Sequence, residues 1–331
     1  MAKVFVTRPI PGKAFGKLTK AHQVEVYPGP GKIPREKLME GVKGAEAILS
    51  ILTEKIDTEV FAAAGKQLKV VSNYAVGFDN IDLKAADKAG VMIANTPSSL
   101  GDAVAEMAAT LAMALARKIL PADRFTRAGK YKTWDPSIFL GVDLSGKTLG
   151  VVGAGTIGSV VGKRLQAMFD MKVLYHSRHR NKEFEAATKG EFVTLKALLK
   201  QSDVVTLHVP LTPETRHMIS WDEIRLMKKT AILINTSRGP VVQEHALLDE
   251  LKRNSIWGAG LDVYEEEVAK ERGHLHPEDW NKLVELDNVI LTPHISSATV
   301  EAREEMTQMA VDNILRALAG KQPKYLLKKR K

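Results

Sequence analysis

The chain is predicted to be an α/β protein built from two doubly wound parallel-sheet domains. Three observations predict this class. Short apolar runs alternate with helical patterns from end to end, the runs fall into two sets, and 331 residues suit about two domains. We expect residues 1–98 and 300–331 to form the smaller domain, because the last helical pattern is expected to return to it. Residues 99–299 are expected to form the larger domain.

The strands expected in both sets are short. The first set is placed at residues 3–7, 24–27, 47–52, 69–73 and 91–94, with helical patterns between them, for example at residues 35–42 and 59–64. The second set is placed at residues 147–152, 172–176, 204–209, 231–235, 258–263 and 289–291. Residues 102–118 form a helical stretch that is too apolar to be exposed, and we expect the other domain or a second subunit to cover it.

Composition narrows the class of protein. The absence of cysteine excludes disulfides, thiolate nucleophiles and zinc–thiolate sites, and no cluster has metal-ligand spacing, so no metal is predicted. The N-terminus lacks a signal-peptide core and no apolar run could span a bilayer, so we expect a cytoplasmic protein without a membrane partner. Residues 328–331 supply four of the nine net positive charges. This tail is interpreted as a solvated terminus, and no nucleic-acid partner is predicted.

A glycine-rich motif opens the second set. Gly153, Gly155 and Gly158 form a Gly-x-Gly-x-x-Gly run between a β-prone segment and a helical pattern at residues 159–168. In such a unit the first glycine allows a tight turn, the second lets the backbone approach a pyrophosphate, and the third lets helix pack on strand. The unpaired N–H groups of the helix N-terminus then face the phosphates. The motif predicts a Rossmann dinucleotide-binding domain.

The end of the next strand indicates which dinucleotide is bound. Enzymes that use NAD place an acid there to bind the ribose 2′-hydroxyl. Here Ser177 occupies that place, and Arg178 and Arg180 follow it. Both arginines could reach a 2′-phosphate, and no carboxylate would repel it. We therefore expect NADP(H) to be preferred, while a basic surface loop in an enzyme that also accepts NAD(H) remains the alternative.

Chemically useful side chains follow three later strands. Arg238 comes after the strand at residues 231–235, a cluster of carboxylates follows residues 258–263, and His294 follows residues 289–291. Ligands of open α/β sheets bind outside the carboxyl ends of the strands, so these groups are expected to converge on one crevice. An arginine, a carboxylate and a histidine in one crevice suit a reaction that binds an anion and moves a proton.

With these residues in order, the sequence resembles the D-isomer-specific 2-hydroxyacid dehydrogenases. The resemblance also covers residues 73–82 and 208–212 and spans nearly the whole chain, and it is closest to the glyoxylate/hydroxypyruvate reductase branch. It implies that Arg238, Glu267 and His294 are the catalytic set. His294 would give a proton to the carbonyl oxygen, Glu267 would hold the imidazole in its protonated form, and Arg238 would bind the substrate carboxylate. It also implies a smaller, flavodoxin-like substrate domain.

The resemblance implies further binding residues. Besides the glycines and the loop with Ser177, those expected at the cofactor are Val104, Thr156, Ile157, Val209, Pro210, Thr215, Thr236 and Asp262, of which Asp262 would contact the nicotinamide carboxamide. Those expected at the substrate are Thr53, Tyr74, the backbone N–H groups of Val76 and Gly77, Ser297, and Trp134. In related reductases a tryptophan like Trp134 reaches into the partner's active site, and simple interface packing is the alternative; both interpretations require a homodimer.

The predicted activity is reduction of a small anionic 2-oxo acid, glyoxylate or hydroxypyruvate, to the D-2-hydroxy acid with NADPH, although NADH could also serve. One alternative is phosphite oxidation, but that family has a lysine where Val76 stands. The other is a dinucleotide-sensing corepressor, which would bind the cofactor with negligible turnover. The sequence departs from the family at Val268, where proline usually follows the catalytic glutamate, and residues 268–281 are longer and more polar than in compact members. We therefore expect an unusual rim to the active site.

Overall fold

The computed structural model describes residues 1–97, 100–265 and 277–327, and the chain divides into two compact units. The discontinuous unit comprises Met1–Ser99 and Ala298–Lys331, and the central unit comprises Leu100–Ser297. Glu267, most of the segment at residues 268–281 and the basic tail at residues 328–331 lie outside the described residues. No described helix is long and apolar enough to cross a membrane.

The discontinuous unit contains a five-stranded parallel sheet with the order β2-β1-β3-β4-β5. Its elements are β1 (Lys3–Val6), α1 (Phe15–Ala21), β2 (Gln23–Val26), α2 (Arg35–Gly41), β3 (Ala47–Ser50), α3 (Thr58–Ala64), β4 (Val70–Asn73), α4 (Leu83–Ala89) and β5 (Met92–Ala94). The middle strands are buried on both faces, as expected of parallel strands between helices. This strand order is that of flavodoxin-like folds, which confirms the predicted class.

The central unit contains a seven-stranded parallel sheet with the order β12-β11-β10-β9-β6-β7-β8. Its elements are α5 (Leu100–Ala116), α6 (Ile119–Arg127), β6 (Thr148–Val152), α7 (Thr156–Phe169), β7 (Lys172–His176), α8 (Lys182–Thr188), β8 (Glu191–Phe192), α9 (Leu195–Gln201), β9 (Val204–Leu207), α10 (Trp221–Arg225), β10 (Ile232–Asn235), α11 (Glu244–Lys252), β11 (Gly258–Leu261), α12 (Pro277–Val284) and β12 (Val289–Leu291). The chain reverses direction across the sheet between β6 and β9, so a Rossmann switch point lies at their carboxyl ends.

The long apolar helix α5 is covered in a different way from the one expected. Its buried face packs on α7, β10 and β11 of its own unit. Gly101 makes a close approach possible, since a Cβ there would meet the Val160 side chain at 3.0 Å. The last helix, α13 (Val300–Leu318), packs on β3, β4 and α1 of the discontinuous unit. Packing within the unit therefore accounts for the apolar face of α5.

The predicted strands are all present, and the structure adds β8. This strand has two residues, both exposed, so it lacks the apolar run that marks a buried strand. Several strands end earlier than expected. β11 stops at Leu261 and not at residue 263, and the carboxylate of the next residue, Asp262, binds the loop after β12.

Candidate active site

The glycine motif forms a tight turn between β6 and α7. Gly153 has φ +99°, a value that side chains disfavour, and a Cβ there would lie 2.7 Å from the His208 carbonyl. A Cβ on Gly158 would lie 2.0 Å from the Gly153 oxygen. A Cβ on Gly155 would meet no protein atom within 4 Å, so open space faces the N-terminus of α7. The turn thus offers free backbone N–H groups to an anion, as dinucleotide binding requires.

Two residues that the sequence interpretation did not single out as site residues hold this turn. Asn181 Nδ2 donates to the Ala154 oxygen at 2.7 Å, while its Oδ1 caps α8 by accepting from the Phe184 N–H. The imidazole of His208 pairs with Thr206 Oγ1 at 2.9 Å, and desolvation lowers the pKa of His208 to about 3. The imidazole is therefore neutral at neutral pH, and His208 supports the turn through its backbone N–H, which donates to the Val152 oxygen at 2.7 Å. An asparagine directly before a helical pattern is recognisable in the sequence as a helix cap. The second hydrogen bond of Asn181, to the Ala154 oxygen, cannot be recognised from the sequence.

The basic loop after β7 is exposed and is braced at one end. Ser177 Oγ donates to the His179 oxygen at 2.5 Å. Arg180 Nε donates to Glu185 Oε1 at 2.7 Å, and the buried Tyr175 hydroxyl donates to the same oxygen at 2.7 Å. The hydrogen bond from Arg180 is the first cause that lowers the pKa of Glu185. Arg178 is exposed. The loop therefore carries two exposed arginines, of which Arg180 is held by Glu185.

The other residues expected at the cofactor differ in whether their side chains already have a partner within the protein. Thr236, directly after β10, has a buried hydroxyl with no hydrogen-bond partner among the described residues. The Thr215 hydroxyl instead closes its own turn by donating to the Pro210 oxygen at 2.6 Å. Val209 packs against the core, and Val104 is buried within α5. Thr236 is thus the one of these four whose polar group is left for a ligand.

The Arg238 turn is shaped by the residue that ends β10. Asn235 is buried; its Oδ1 accepts from the Ser237 N–H at 3.1 Å, and its Nδ2 donates to the Arg238 oxygen at 2.9 Å. Arg238 has extended backbone angles and precedes a 3₁₀ turn at Gly239–Val241. One guanidinium nitrogen, Nη1, donates to the Ser237 oxygen at 2.8 Å. The half-buried guanidinium is therefore held at the carboxyl edge of the sheet.

The His294 turn is built around the carboxylate of Asp262. Asp262 is fully buried and accepts from Thr292 Oγ1 at 2.6 Å and from the backbone N–H of Ile295 at 2.8 Å. Its other oxygen accepts from the Ser296 N–H at 2.7 Å and from the Ser296 hydroxyl. His294 itself has φ +56°, in the left-handed region. Four hydrogen bonds to one carboxylate stabilise this turn and thereby fix the backbone that carries His294.

The expected residues of the central unit gather along one edge of its sheet. The glycine turn, the basic loop, Arg238 and His294 follow β6, β7, β10 and β12 respectively, always at the carboxyl end. Arg238 and His294 follow strands separated only by β11, a spacing of about 10 Å. Ser297 lies just beyond the His294 turn and is half-buried. Of the predicted catalytic set, Glu267 is outside the described residues.

In the discontinuous unit, the expected substrate residues follow β3 and β4. The carbonyls of Val76 and Gly77 accept from Asn95 Nδ2 at 2.7 Å and Asn73 Nδ2 at 2.9 Å. Neither backbone N–H donates a hydrogen bond to any described residue. The turn is therefore fixed through its carbonyls while its two donors remain open, which is an arrangement that suits a carboxylate.

The two side chains expected beside this turn are engaged within the unit. The Thr53 hydroxyl donates to the buried Glu54 carboxylate at 2.7 Å. The Tyr74 hydroxyl donates to the Arg303 oxygen at 3.0 Å and lies 3.1 Å from Thr307 Oγ1. Burial raises the pKa of Tyr74, so the phenol stays neutral. Only the apolar parts of these side chains are left for a ligand.

Trp134 lies in the central unit and is 75% exposed. Its neighbours in the segment between α6 and β6 are also exposed apolar side chains: Tyr131, Ile138 and Leu140. Helix α6 has no buried residue. Among the described residues this segment therefore carries an uncovered apolar surface.

Comparison with known proteins identifies the family. Residues 109–296 match the family described as D-isomer specific 2-hydroxyacid dehydrogenase, NAD binding domain. The chain belongs to the D-isomer specific 2-hydroxyacid dehydrogenases. A glyoxylate reductase of Thermococcus kodakarensis is 46% identical to this family member over 331 residues, covering 99% of this chain and 96% of that protein. The family resemblance inferred from the sequence is confirmed.

Solved structures agree with this assignment. The TT0316 protein of Thermus thermophilus has a TM-score of 0.89 and 39% identity, covering 98% of this chain and 100% of that one. A glyoxylate reductase from Paecilomyes thermophila has a TM-score of 0.85 and 30% identity, and the match covers 100% of this chain and 99% of that one. This 2-hydroxyacid dehydrogenase is therefore an oxidoreductase with a nicotinamide dinucleotide-binding domain.

Proposed function

We propose that this 2-hydroxyacid dehydrogenase reduces glyoxylate to glycolate or hydroxypyruvate to D-glycerate, with NADPH as the preferred reductant. The observation that carries the proposal is the placement of Arg238 and His294 on the cofactor edge of a Rossmann sheet. The similarity to glyoxylate reductases over nearly the whole chain supports the choice of substrate. Initial rates of NADPH oxidation with glyoxylate, hydroxypyruvate and pyruvate test it. Turnover with phosphite instead, or tight cofactor binding without turnover, would favour the alternatives.

The dinucleotide fits the described residues. The open space at Gly155, the free N–H groups of Thr156 and Ile157 and the unpartnered Thr236 hydroxyl would hold it. Gly158 keeps the helix close to the turn. When bound, the nicotinamide supplies the hydride that the carbonyl carbon accepts. The chain must then bind the acid, orient its carbonyl and deliver a proton.

The chain's own residues divide these tasks. Arg238 binds the substrate carboxylate and polarises the carbonyl. In the discontinuous unit, the open N–H groups of Val76 and Gly77 are the groups proposed to bind a carboxylate. His294 donates a proton to the carbonyl oxygen as negative charge grows there, and accepts it in the reverse reaction. Glu267 orients the imidazole and stabilises its protonated form. Asp262 supports the same step by binding the Thr292 hydroxyl before His294 and the Ile295 N–H after it.

We propose that Arg178 and Arg180 bind the 2′-phosphate of NADP(H). No carboxylate stands at Ser177 to repel it, and Glu185 holds Arg180 in place. Replacing both arginines by alanine is expected to lower the NADPH/NADH ratio of kcat/KM by about 10–100-fold, because two charged hydrogen bonds are lost. The matched control is Lys147→Ala with Lys172→Ala, which removes two exposed charges at the amino edge of the same sheet. An unchanged ratio in the arginine variant would refute the assignment.

We also propose a homodimer that covers the exposed apolar surface around Trp134. Four large apolar side chains exposed in one segment are unusual for a monomer. Sedimentation equilibrium is expected to give twice the chain mass for the wild-type protein, with a weaker association for a Trp134→Ala, Leu140→Ser variant. A wild-type protein that sediments as a monomer at micromolar concentration would contradict the proposal.

A further inference from the structure

Three backbone segments meet beside Arg238. The His217 N–H donates to the Pro240 oxygen at 2.7 Å, and the Ile219 N–H donates to the Val241 oxygen at 3.2 Å. His217 has φ +54°, so this turn is held in a sparsely populated conformation. The 3₁₀ turn after Arg238 is therefore tied along its length to the His217 turn.

The segment after β11 lies directly on the same 3₁₀ turn. A Cβ on Gly239 would lie 1.9 Å from the carbonyl carbon and oxygen of Tyr264, so only a glycine leaves room. The N–H of Glu265 donates to Glu244 Oε1 at 2.6 Å, at the start of α11. The backbone at Tyr264 and Glu265 is thus the third segment of the junction.

The junction contains two buried carboxylates and an imidazole. The side chain of Glu265 is 5% exposed and Glu244 is 2% exposed. His217 Nε2 lies 2.7 Å from Glu265 Oε1, and neither atom has an aligned hydrogen-bond partner among the described residues. His217 and Glu265 thus contact each other at the junction, where the Glu265 side chain is buried.

The side chain of Tyr264 contacts the turn that carries His294, the proposed proton donor. The Tyr264 hydroxyl donates to the Thr292 oxygen at 2.7 Å and to the Leu261 oxygen at 3.2 Å. Thr292 also donates to Asp262 in the His294 turn. Tyr264 and Glu265 therefore connect the Arg238 turn with the His294 turn, two groups that must be set correctly relative to one substrate.

We propose that His217 and Glu265 form a positioning pair that fixes the Arg238 turn and thereby sets the affinity for the substrate carboxylate. The inference rests on the proposed function, in which Arg238 binds that carboxylate. Neither member of the pair touches the reacting atoms. Their contact clamps the segment that carries Tyr264 onto the turn that follows Arg238.

The test compares His217→Ala and Glu265→Gln with the wild-type protein. Both are expected to raise the KM for glyoxylate about tenfold with a smaller fall in kcat, because a displaced Arg238 binds the carboxylate and polarises the carbonyl less well. The Kd of oxamate, a 2-oxo acid analogue titrated calorimetrically into the cofactor-loaded enzyme, should rise by the same factor. The cofactor Kd should not change. The matched control is His245→Ala, which removes an exposed histidine 3.9 Å from Asp249 in α11.

A double variant separates positioning from general destabilisation. Each single change already breaks the contact, so the oxamate Kd of the double variant His217→Ala with Glu265→Gln should match that of the single variants, whereas two independent effects would multiply. Unchanged oxamate affinity in both single variants, or an equal change in the His245 control, would overturn the inference, as would a wild-type enzyme that binds no oxamate. If the wild type lacks 2-oxo acid turnover but its oxamate affinity still depends on His217, the inference stands and the proposed function fails.

Discussion

Replacing His294 by alanine is expected to lower kcat for glyoxylate reduction by about 10³-fold, the usual contribution of a positioned general acid. His294 follows β12 in a turn that Asp262 fixes through four hydrogen bonds. The substitution therefore removes the proton donor from a turn that stays in position. Cofactor affinity should stay nearly unchanged, because the glycine turn that would bind the dinucleotide follows a different strand, β6.

Steady-state rates and quenching of protein fluorescence by NADPH measure the two quantities separately. His294→Gln serves as a control of shape, since it retains a polar side chain that cannot act as an acid at neutral pH, and it should be as slow as the alanine variant. A parallel loss of cofactor binding in both variants would assign His294 a structural role instead.

Gly158→Ala is expected to reduce both stability and cofactor binding. The new methyl group would lie 2.0 Å from the Gly153 oxygen, which is backbone and cannot move without opening the turn. Overpacking of this kind costs about 3 kcal/mol. The melting temperature should fall by about 5–10 °C. Calorimetric melting of the cofactor-free protein measures the first effect, and the NADPH Kd measures the second.

Gly155→Ala provides the contrast within the same motif. A Cβ at Gly155 meets no protein atom within 4 Å, so the melting temperature should stay within about 1 °C of wild type. The methyl group would instead occupy space that the pyrophosphate needs, and the NADPH Kd should rise at least about tenfold. If Gly155→Ala binds NADPH as wild type does, the dinucleotide does not approach the turn as proposed.

The fold could be predicted because its signals are local. Apolar runs of four to six residues and the glycine motif mark strands and the β6–α7 turn without reference to the rest of the chain. The carboxyl-end rule then placed Arg238 and His294 on one edge. Where the local signal was weak, prediction failed: β8 has two exposed residues, and the partner of α5 depended on tertiary packing.

The supports of the site could not be predicted from local patterns. The contact of Asp262 with Ile295 joins residues 33 positions apart, and that of Glu265 with Glu244 joins residues 21 apart. Such bonds depend on the register of neighbouring parallel strands, which periodicity does not specify. The contact of Asp262 with the nicotinamide stays a prediction; its two oxygens also bind the His294 turn, which the sequence did not indicate. Glu265, a member of the expected carboxylate cluster, binds within the fold.

The configuration and yield of the product test the central claim most directly. The enzyme would be incubated with hydroxypyruvate and NADPH, and the glycerate formed would be separated by chiral chromatography while NADPH consumption is followed at the same time. We expect D-glycerate alone, formed one for one with NADPH oxidised, and no product from the His294→Ala enzyme on the same timescale. Formation of L-glycerate or of a racemic product would contradict the proposed reaction. A His294→Ala enzyme that is as fast as the wild type would contradict the proposed role of His294.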